Sequence, residues 1–422
     1  MKLKKIGILH YSAPPVVGGV EMMIQHHAQL LVEAGSEVTI LAGKGGLTDG
    51  GINMAINPLL DSSSPEILAI KKELDQGLVP DTFSDIKDKI LTFLEQHGKK
   101  FDILIAHNIC SLHKNLPLTA ALFEYTRKEK APPLIAWHHD LAWKNHQYRN
   151  ELYDRWPWNL LKKSWHDRSQ IHVAVSDMRQ KEVAELFNIR VDSISVIPSG
   201  LDWASFLRLD ERTVEIISRF GLMDADPLFL LPARITRRKN IELAIKIISQ
   251  LKDQYPLSAL VITGPPGPHN PSNKSYFRGL IELRESLQLG GGNSQRIYPR
   301  VVFLAEHDPT FLPNRVIEDL YRCSDALLFP SKQEGFGIPI LEAGLTGIPI
   351  FCSDIPPFRE TAHDMAHFFD PDEHPDTIAM KITRTLESDT SSRLKRHVKQ
   401  NYSWEKIFQN KILPLIEVAA SK

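Results

Sequence analysis

Two glutamates eight positions apart, Glu334 and Glu342, lie in the run Pro330-Ser331-Lys332-Gln333-Glu334-Gly335-Phe336-Gly337-Ile338-Pro339-Ile340-Leu341-Glu342-Ala343. Gly335 and Gly337 place Glu334 in a loop, whereas Pro339 suits the first turn of a helix and leaves Glu342 one turn further in. An ionised carboxylate only accepts hydrogen bonds, so Glu334 suits sugar hydroxyls and Glu342 the diol of a ribose. The backbone amides of Phe336, Gly337 and Ile338 then point toward a phosphate. Glutamates at a helix start also stabilise its dipole without any ligand, but two glycines around an aromatic favour a binding loop.

Upstream, Pro232-Ala233-Arg234-Ile235-Thr236-Arg237-Arg238-Lys239-Asn240 follows a buried strand. A guanidinium directs two hydrogen bonds at phosphate oxygens and an ammonium adds a point charge, so Arg234 and Lys239 are candidates to clamp a diphosphate. A solvated basic turn is the plainer account of such a stretch, and it suffices for Arg237 and Arg238. Near the start, Pro14-Pro15-Val16-Val17-Gly18-Gly19-Val20-Glu21 leaves a strand and opens a helix. Gly18 and Gly19 let amides approach an anion there, or simply make a tight turn. Neither this loop nor Lys44-Gly45-Gly46 matches a dinucleotide or Walker fingerprint. His138 and His139, before Asp140, end another apolar run. Adjacent strand residues face opposite ways, which argues against joint metal chelation by the two.

Positioning these groups falls to an alternation of short apolar strands and amphipathic helices, the pattern of a parallel sheet covered by helices. Strands are expected at Lys5 to Tyr11, Glu37 to Ala42, Asp102 to Ala106, Leu134 to Trp137, Ile171 to Val175 and Ser193 to Ile197. A helix is expected at Val20 to Ala34, and the stretch that follows the Glu37 to Ala42 strand, through Lys99, reads as a polar, helical excursion. The rhythm pauses near Pro198-Ser199-Gly200 and restarts with strands at Leu228 to Leu231, Ala259 to Thr263, Val301 to Leu304, Ala326 to Phe329 and Ile350 to Cys352. Pro265 to Asn273 reads as a surface excursion. The expected domains are 1–205 and 206–403, with a last helix, Trp404 to Val418 within 404–422, packing back on the first. Two doubly wound sheets of this kind face each other across a deep cleft, with ligands beyond the carboxyl ends of their strands.

The chain of 422 residues is long enough for two or three domains of about 150 residues each. Lysine plus arginine (50) nearly balances aspartate plus glutamate (51), which argues against a dedicated nucleic-acid binder. No apolar run approaches the roughly 20 residues that span a bilayer, and the start enters a strand pattern, so a cytoplasmic location is expected. Cys110, Cys323 and Cys352 read as reduced, buried thiols. Tryptophans and cations mix in Arg155 to Trp165; Trp156, Leu160 and Trp165 fit one face of a helix better than a peripheral membrane contact.

In order and spacing, Glu334 with Glu342, Arg234 with Lys239, and Gly18-Gly19-Val20-Glu21 resemble the family 4 retaining glycosyltransferases of the GT-B fold. Val173-Ala174-Val175-Ser176 and Val196-Ile197-Pro198-Ser199-Gly200-Leu201-Asp202 are similar to that family's last strand and exit from the first domain. The resemblance, from Ile6 to about Trp404, implies transfer of a hexosyl group, mannosyl or glucosyl favoured, from a nucleoside diphosphate sugar to an acceptor hydroxyl with retention and without a metal. It implies that Arg234 and Lys239 hold the diphosphate, Glu334 lies against the donor sugar, Glu342 holds the ribose and Gly19 lies under phosphates and sugar. One of His138 and His139 contacts the transferred sugar. The departing phosphate takes the acceptor's proton, and Asp224-Ala225-Asp226 is a solvated turn despite its metal-site spelling. UDP, GDP and ADP stay open as the donor's nucleotide. A non-catalytic nucleotide-sugar binder and a sugar-nucleotide epimerase of the same architecture are the alternatives.

Overall fold

The computed structural model describes residues 4–46, 50–165, 170–291, 297–308 and 312–421. The chain divides into two compact units, Met1–Gly200 with Trp404–Lys422, and Leu201–Ser403. Among the described residues the first unit is built on seven strands: β1 (Lys5–Leu9), β2 (Glu37–Ala42), β3 (Asn53–Ile56), β4 (Ile103–His107), β5 (Leu134–His138), β6 (Gln170–Ala174) and β7 (Ile194–Val196). All neighbours pair in parallel, in the order β3-β2-β1-β4-β5-β6-β7. The period of two along each strand divides its side chains between two cores. Ile6, Ile8, Ile103, Ile105, Ile135 and Trp137 fill one face; Leu9, Leu104, Ala106, Leu134 and Ala136 fill the other.

The second unit carries β8 (Leu228–Leu231), β9 (Ala259–Ile262), β10 (Val301–Phe303), β11 (Ala326–Phe329), β12 (Ile350–Ser353) and β13 (His367–Phe369). Their order is β10-β9-β8-β11-β12-β13, again parallel throughout. These strands are near-continuous apolar runs because helices cover both faces. The fold is thus the expected α/β one, two Rossmann-like units.

In each sheet the order reverses beside its first strand, between β1 and β4 and between β8 and β11. An aspartate pins each of these pairs. Asp102, just before β4, accepts a hydrogen bond from the backbone N–H of Lys5 at 2.8 Å. Asp325, just before β11, accepts from that of Leu228 at 2.8 Å and from Lys399 Nζ at 2.7 Å.

Two expectations are corrected. The stretch after β2 is not wholly helical: β3 precedes the helices Pro65–Leu74 and Thr82–Gly98. A four-residue edge strand that exposes Asn53 and Ile56 has too short an apolar signal to read. The Trp156, Leu160 and Trp165 face does not exist either. Pro157 opens a 3-10 segment, Trp158–Lys162, whose three-residue turn buries Trp158, Leu160 and Leu161. Trp165 Nε1 donates to Leu160 O at 3.0 Å. Trp156 stays 47% exposed, edge-on to Phe83. Among the described residues no helix is long and apolar enough to cross a membrane.

The C-terminal segment runs as Trp404–Ile407, a π-helical turn Phe408–Ile412, and Leu413–Ala420. It sends Trp404, Ile407, Phe408, Ile412 and Ile416 into the first unit's core. Trp404 stacks on His26 with ring centroids 5.1 Å apart and meets His27 edge-on at 5.4 Å. Trp404→Ala is expected to cost the first unit about 3–5 kcal/mol, the usual loss for truncating a buried aromatic. All tryptophans but Trp203 lie in that unit, so its unfolding is read by fluorescence in denaturant; an unchanged midpoint would refute the docking.

Candidate functional site

In the second unit, the loop after β8 meets the loop after β11 at the strand-order reversal. Lys239 Nζ bonds Glu334 Oε1, and Ser331 Oγ donates to the same oxygen at 2.8 Å. Arg238 Nη1 donates to Glu334 Oε2 at 2.7 Å and to Gln333 O at 3.0 Å, while Lys332 N donates back to Arg238 O at 2.8 Å. Arg238, which a solvated turn would have explained, therefore clasps the glutamate loop. The side chains of Lys239 and Glu334 are only 10% and 8% exposed. Lys239 Nζ also sits 4.8 Å from the centroid of Phe329, at the end of β11.

Burial shapes both groups. Burial by itself would raise the Glu334 carboxyl, but Lys239, Ser331 and Arg238 outweigh it and hold the group below the ordinary carboxylate range. Loss of water dominates at Lys239, whose ammonium is lowered from the usual lysine range although Glu334 pulls it up.

Arg234 is exposed beside this network and lines a pocket of about 420 Å³ with Thr236, Arg237, Arg238, Asn270 and Asn273. Glu342 takes a separate position. It sits in the helix Ile338–Thr346, accepts from Tyr321 Oη at 2.7 Å, and lines a pocket of about 450 Å³ with Ile317, Tyr321, Arg322 and Thr346. Gly337 caps that helix, and its φ of +104° is a conformation side chains resist. The side chains of Phe336 and Ile338 are exposed beside it. Asp224 and Asp226 make no such site: Asp224 ends a 3-10 turn and Asp226 Oδ1 accepts from Arg396 at 3.1 Å.

In the first unit the ends of β1, β4 and β5 bring imidazoles together. His10 Nδ1 meets His107 O at 2.9 Å, and since a carbonyl only accepts, that nitrogen donates. His107 Nδ1 and His139 Nε2 are 3.0 Å apart. Asn108, in left-handed backbone at φ 61°, accepts from the backbone N–H groups of His139 and Asp140 at 2.9 and 3.2 Å. His138 turns to the other face of the sheet, where it bonds His172 at 3.0 Å and meets Phe187 edge-on. The structure therefore gathers His139, and not His138, with the groups at the strand-order reversal.

Gly18 precedes the helix Gly19–Glu33. A Cβ on Gly18 would lie 2.1 Å from Glu21 Oε2, so the glycine lets Glu21 fold back to accept from Ser12 Oγ; one on Gly19 would meet nothing within 4 Å among the described residues. His10 Nε2 lies 3.8 Å from Glu21 Oε1. His10 and His107 were missed in the sequence, although a visible signal existed: apolar runs of the first third end on His10, His107 and His138 alike. Among the described residues no group of three or more His, Cys, Asp or Glu side chains is arranged to hold a metal ion.

His27 lies beneath this cluster, 4.6 Å from Trp137 and 5.5 Å from His107, and among the described residues neither ring nitrogen has a hydrogen-bond partner. Burial pushes His27 and His139 down to about 3 and holds His107 well below its usual value. The folded state refuses protons that the unfolded chain accepts below its ordinary histidine value of about 6.5. The contribution of these histidines to the first unit's stability is therefore fully present above that value and is lost as pH falls toward 3. His27→Leu, which removes an unsatisfied polar ring, is expected to lessen the loss between pH 7 and pH 5. Denaturant midpoints of both proteins at the two pH values check this, and equal drops would clear His27.

Comparison with known proteins finds a glycosyltransferase model in each unit. Residues 17–204 match the family model described as Glycosyltransferase Family 4, and residues 226–388 that described as Glycosyl transferases group 1. A mannosylglucosylglycerate synthase of Petrotoga mobilis is 24% identical over 69% of this chain and 66% of its own length. A glycosyltransferase of Methanocaldococcus jannaschii is 28% identical over 56% of this chain and 57% of its own. A mannosylglucosylglycerate synthase of Thermotoga maritima is 26% identical over 84% of this chain and 83% of its own. The alignment thus spans less than two thirds of the first two relatives. With one model matched in each unit, the chain belongs to the family 4 glycosyltransferases of the GT-B fold.

Proposed function

We propose that this chain moves a hexosyl group, mannosyl or glucosyl, from a nucleoside diphosphate sugar to an acceptor hydroxyl, with the anomeric configuration kept. The observation that carries the reading is the network of Lys239, Arg238, Ser331 and Glu334 at the strand-order reversal of the second unit. It joins a cationic group suited to a diphosphate with a carboxylate suited to sugar hydroxyls, where open α/β sheets bind ligands.

In this reading the donor's diphosphate lies against Arg234 and Lys239. The arriving negative charge offers Lys239 a new partner, while Arg238 and Ser331 keep Glu334 ionised and aimed at the sugar. As the glycosidic C–O bond breaks, the sugar becomes oxocarbenium-like and the bond's electrons pass to the diphosphate. Arg234, Lys239 and the amides of Phe336, Gly337 and Ile338 stabilise that growing charge more than the ground state, which is what accelerates the step. The acceptor oxygen forms the new bond and its proton goes to the departing diphosphate. Glu342 holds the ribose, Gly18 and Gly19 lie beneath the phosphates, and His139 contacts the transferred sugar. The two synthases named above make mannosyl and glucosyl compounds attractive first acceptors and donors to assay.

Arg234→Ala and Lys239→Ala are each expected to lower kcat/KM by about two to three orders of magnitude, as for loss of one oxyanion donor. Glu334→Gln should depress turnover in a protein that still melts normally. The assay follows nucleoside diphosphate released from UDP-, GDP- and ADP-sugars in the presence of hydroxyl acceptors. Near-wild-type rates in all three variants would remove this network from the reaction. Stabilisation by a nucleotide sugar without turnover on any acceptor would mark a binder, and conversion of the donor without acceptor an epimerase.

A further inference from the structure

His107 is wholly buried and tightly framed. Its ring stacks on Trp137 at 5.3 Å and 26°, faces His27 at 5.5 Å, and reaches Nε2 of His139 through Nδ1 at 3.0 Å. Its own Nε2 is buried without a partner among the described residues. A neutral imidazole carries one proton, on one nitrogen or the other. On Nε2 of His107 that proton would be an orphaned buried N–H, a rare and costly state; on Nδ1 only a lone pair goes unmatched. Nδ1 is therefore the donor, and Nε2 of His139 must accept. His139 is kept neutral by burial and by the neighbouring His10, so its single proton sits on Nδ1. The backbone is held as well, by the Asn108 carboxamide under the amides of His139 and Asp140.

We infer that His107 is a positioning residue: donating from Nδ1 to Nε2 of His139, it fixes His139 as the Nδ1–H tautomer, so that His139 offers a ligand a hydrogen-bond donor and no lone pair. This rests on the proposed function for the identity of the ligand, whose sugar oxygens accept such a bond, but not for the tautomer itself. A consequence is that His139 cannot take the acceptor's proton, since its only basic nitrogen is already occupied by His107.

The tautomers are read directly by nitrogen NMR of the full chain labelled with 15N-histidine, because protonated and bare ring nitrogens resonate far apart. His139 is identified by the signals that vanish in His139→Gln, and His107 by those lost in His107→Gln. The expected spectrum shows both residues protonated at Nδ1 and bare at Nε2. In His107→Leu, which has no donor, part of His139 should move its proton to Nε2, and kcat should fall about tenfold, the equivalent of one neutral hydrogen bond. His107→Asn, whose carboxamide nitrogen takes nearly the place of the imidazole Nδ1 and can donate, should restore the Nδ1–H pattern and most of the rate. A wild-type His139 protonated at Nε2, or one whose tautomer ignores His107→Leu, would overturn the inference. The spectrum needs no substrate, so a chain silent toward every nucleotide sugar would count against the proposed function and leave the tautomer reading to be judged on its own signals.

Discussion

Reversal of strand order beside the first strand of each sheet is the constraint on which both clusters depend. Crossover helices leave the two neighbouring strands in opposite directions, so the chain ends of β1 and β4, and of β8 and β11, are not roofed by the same helix. Side chains that follow those strands are free to face a ligand. Asp102 and Asp325 secure the pairs from below, each accepting a backbone amide from the adjacent first strand. The carboxylates tie the strands together at one end and leave the other end for chemistry.

The same topology is filled in two different electrical ways. In the second unit a buried carboxylate is surrounded by an ammonium, a guanidinium and a hydroxyl. Taking such charges out of water is expensive, and the several hydrogen bonds to one carboxylate are what offset it. In the first unit the comparable position holds imidazoles that burial keeps neutral. Neutral donors and acceptors tolerate a dry environment that paired charges do not, and they discriminate by hydrogen-bond direction instead of by sign. Charged groups suit an anion, and neutral imidazoles suit uncharged hydroxyls.

Legibility in the sequence varied with burial. The bounds of β8 and β11 coincide with the apolar runs Leu228 to Leu231 and Ala326 to Phe329, since a strand covered on both faces must be apolar throughout. β3 escaped because an edge strand that is half exposed carries little such signal. Arg237 and Arg238 look alike in sequence, yet Arg237 lies over Tyr276 at 5.0 Å while Arg238 clasps Glu334. The two point apart because they belong to one tight 3-10 turn, Arg237–Lys239.

By itself the sequence determined the alternation of strands and helices, the pause between two units, and which residue types stand after the strands, because these follow from local apolar periodicity and from glycine and proline at turns. It left His138 and His139 equivalent, and it concealed His10 and His107 as their neighbours. Only the tertiary structure decided that His139 joins His107 while His138 joins His172. Successive strand side chains face opposite ways, and which way is inward is settled by pairing partners that lie 31 to 34 positions away or more. No local pattern carries that information, because it arises when β4, β5 and β6 are laid side by side.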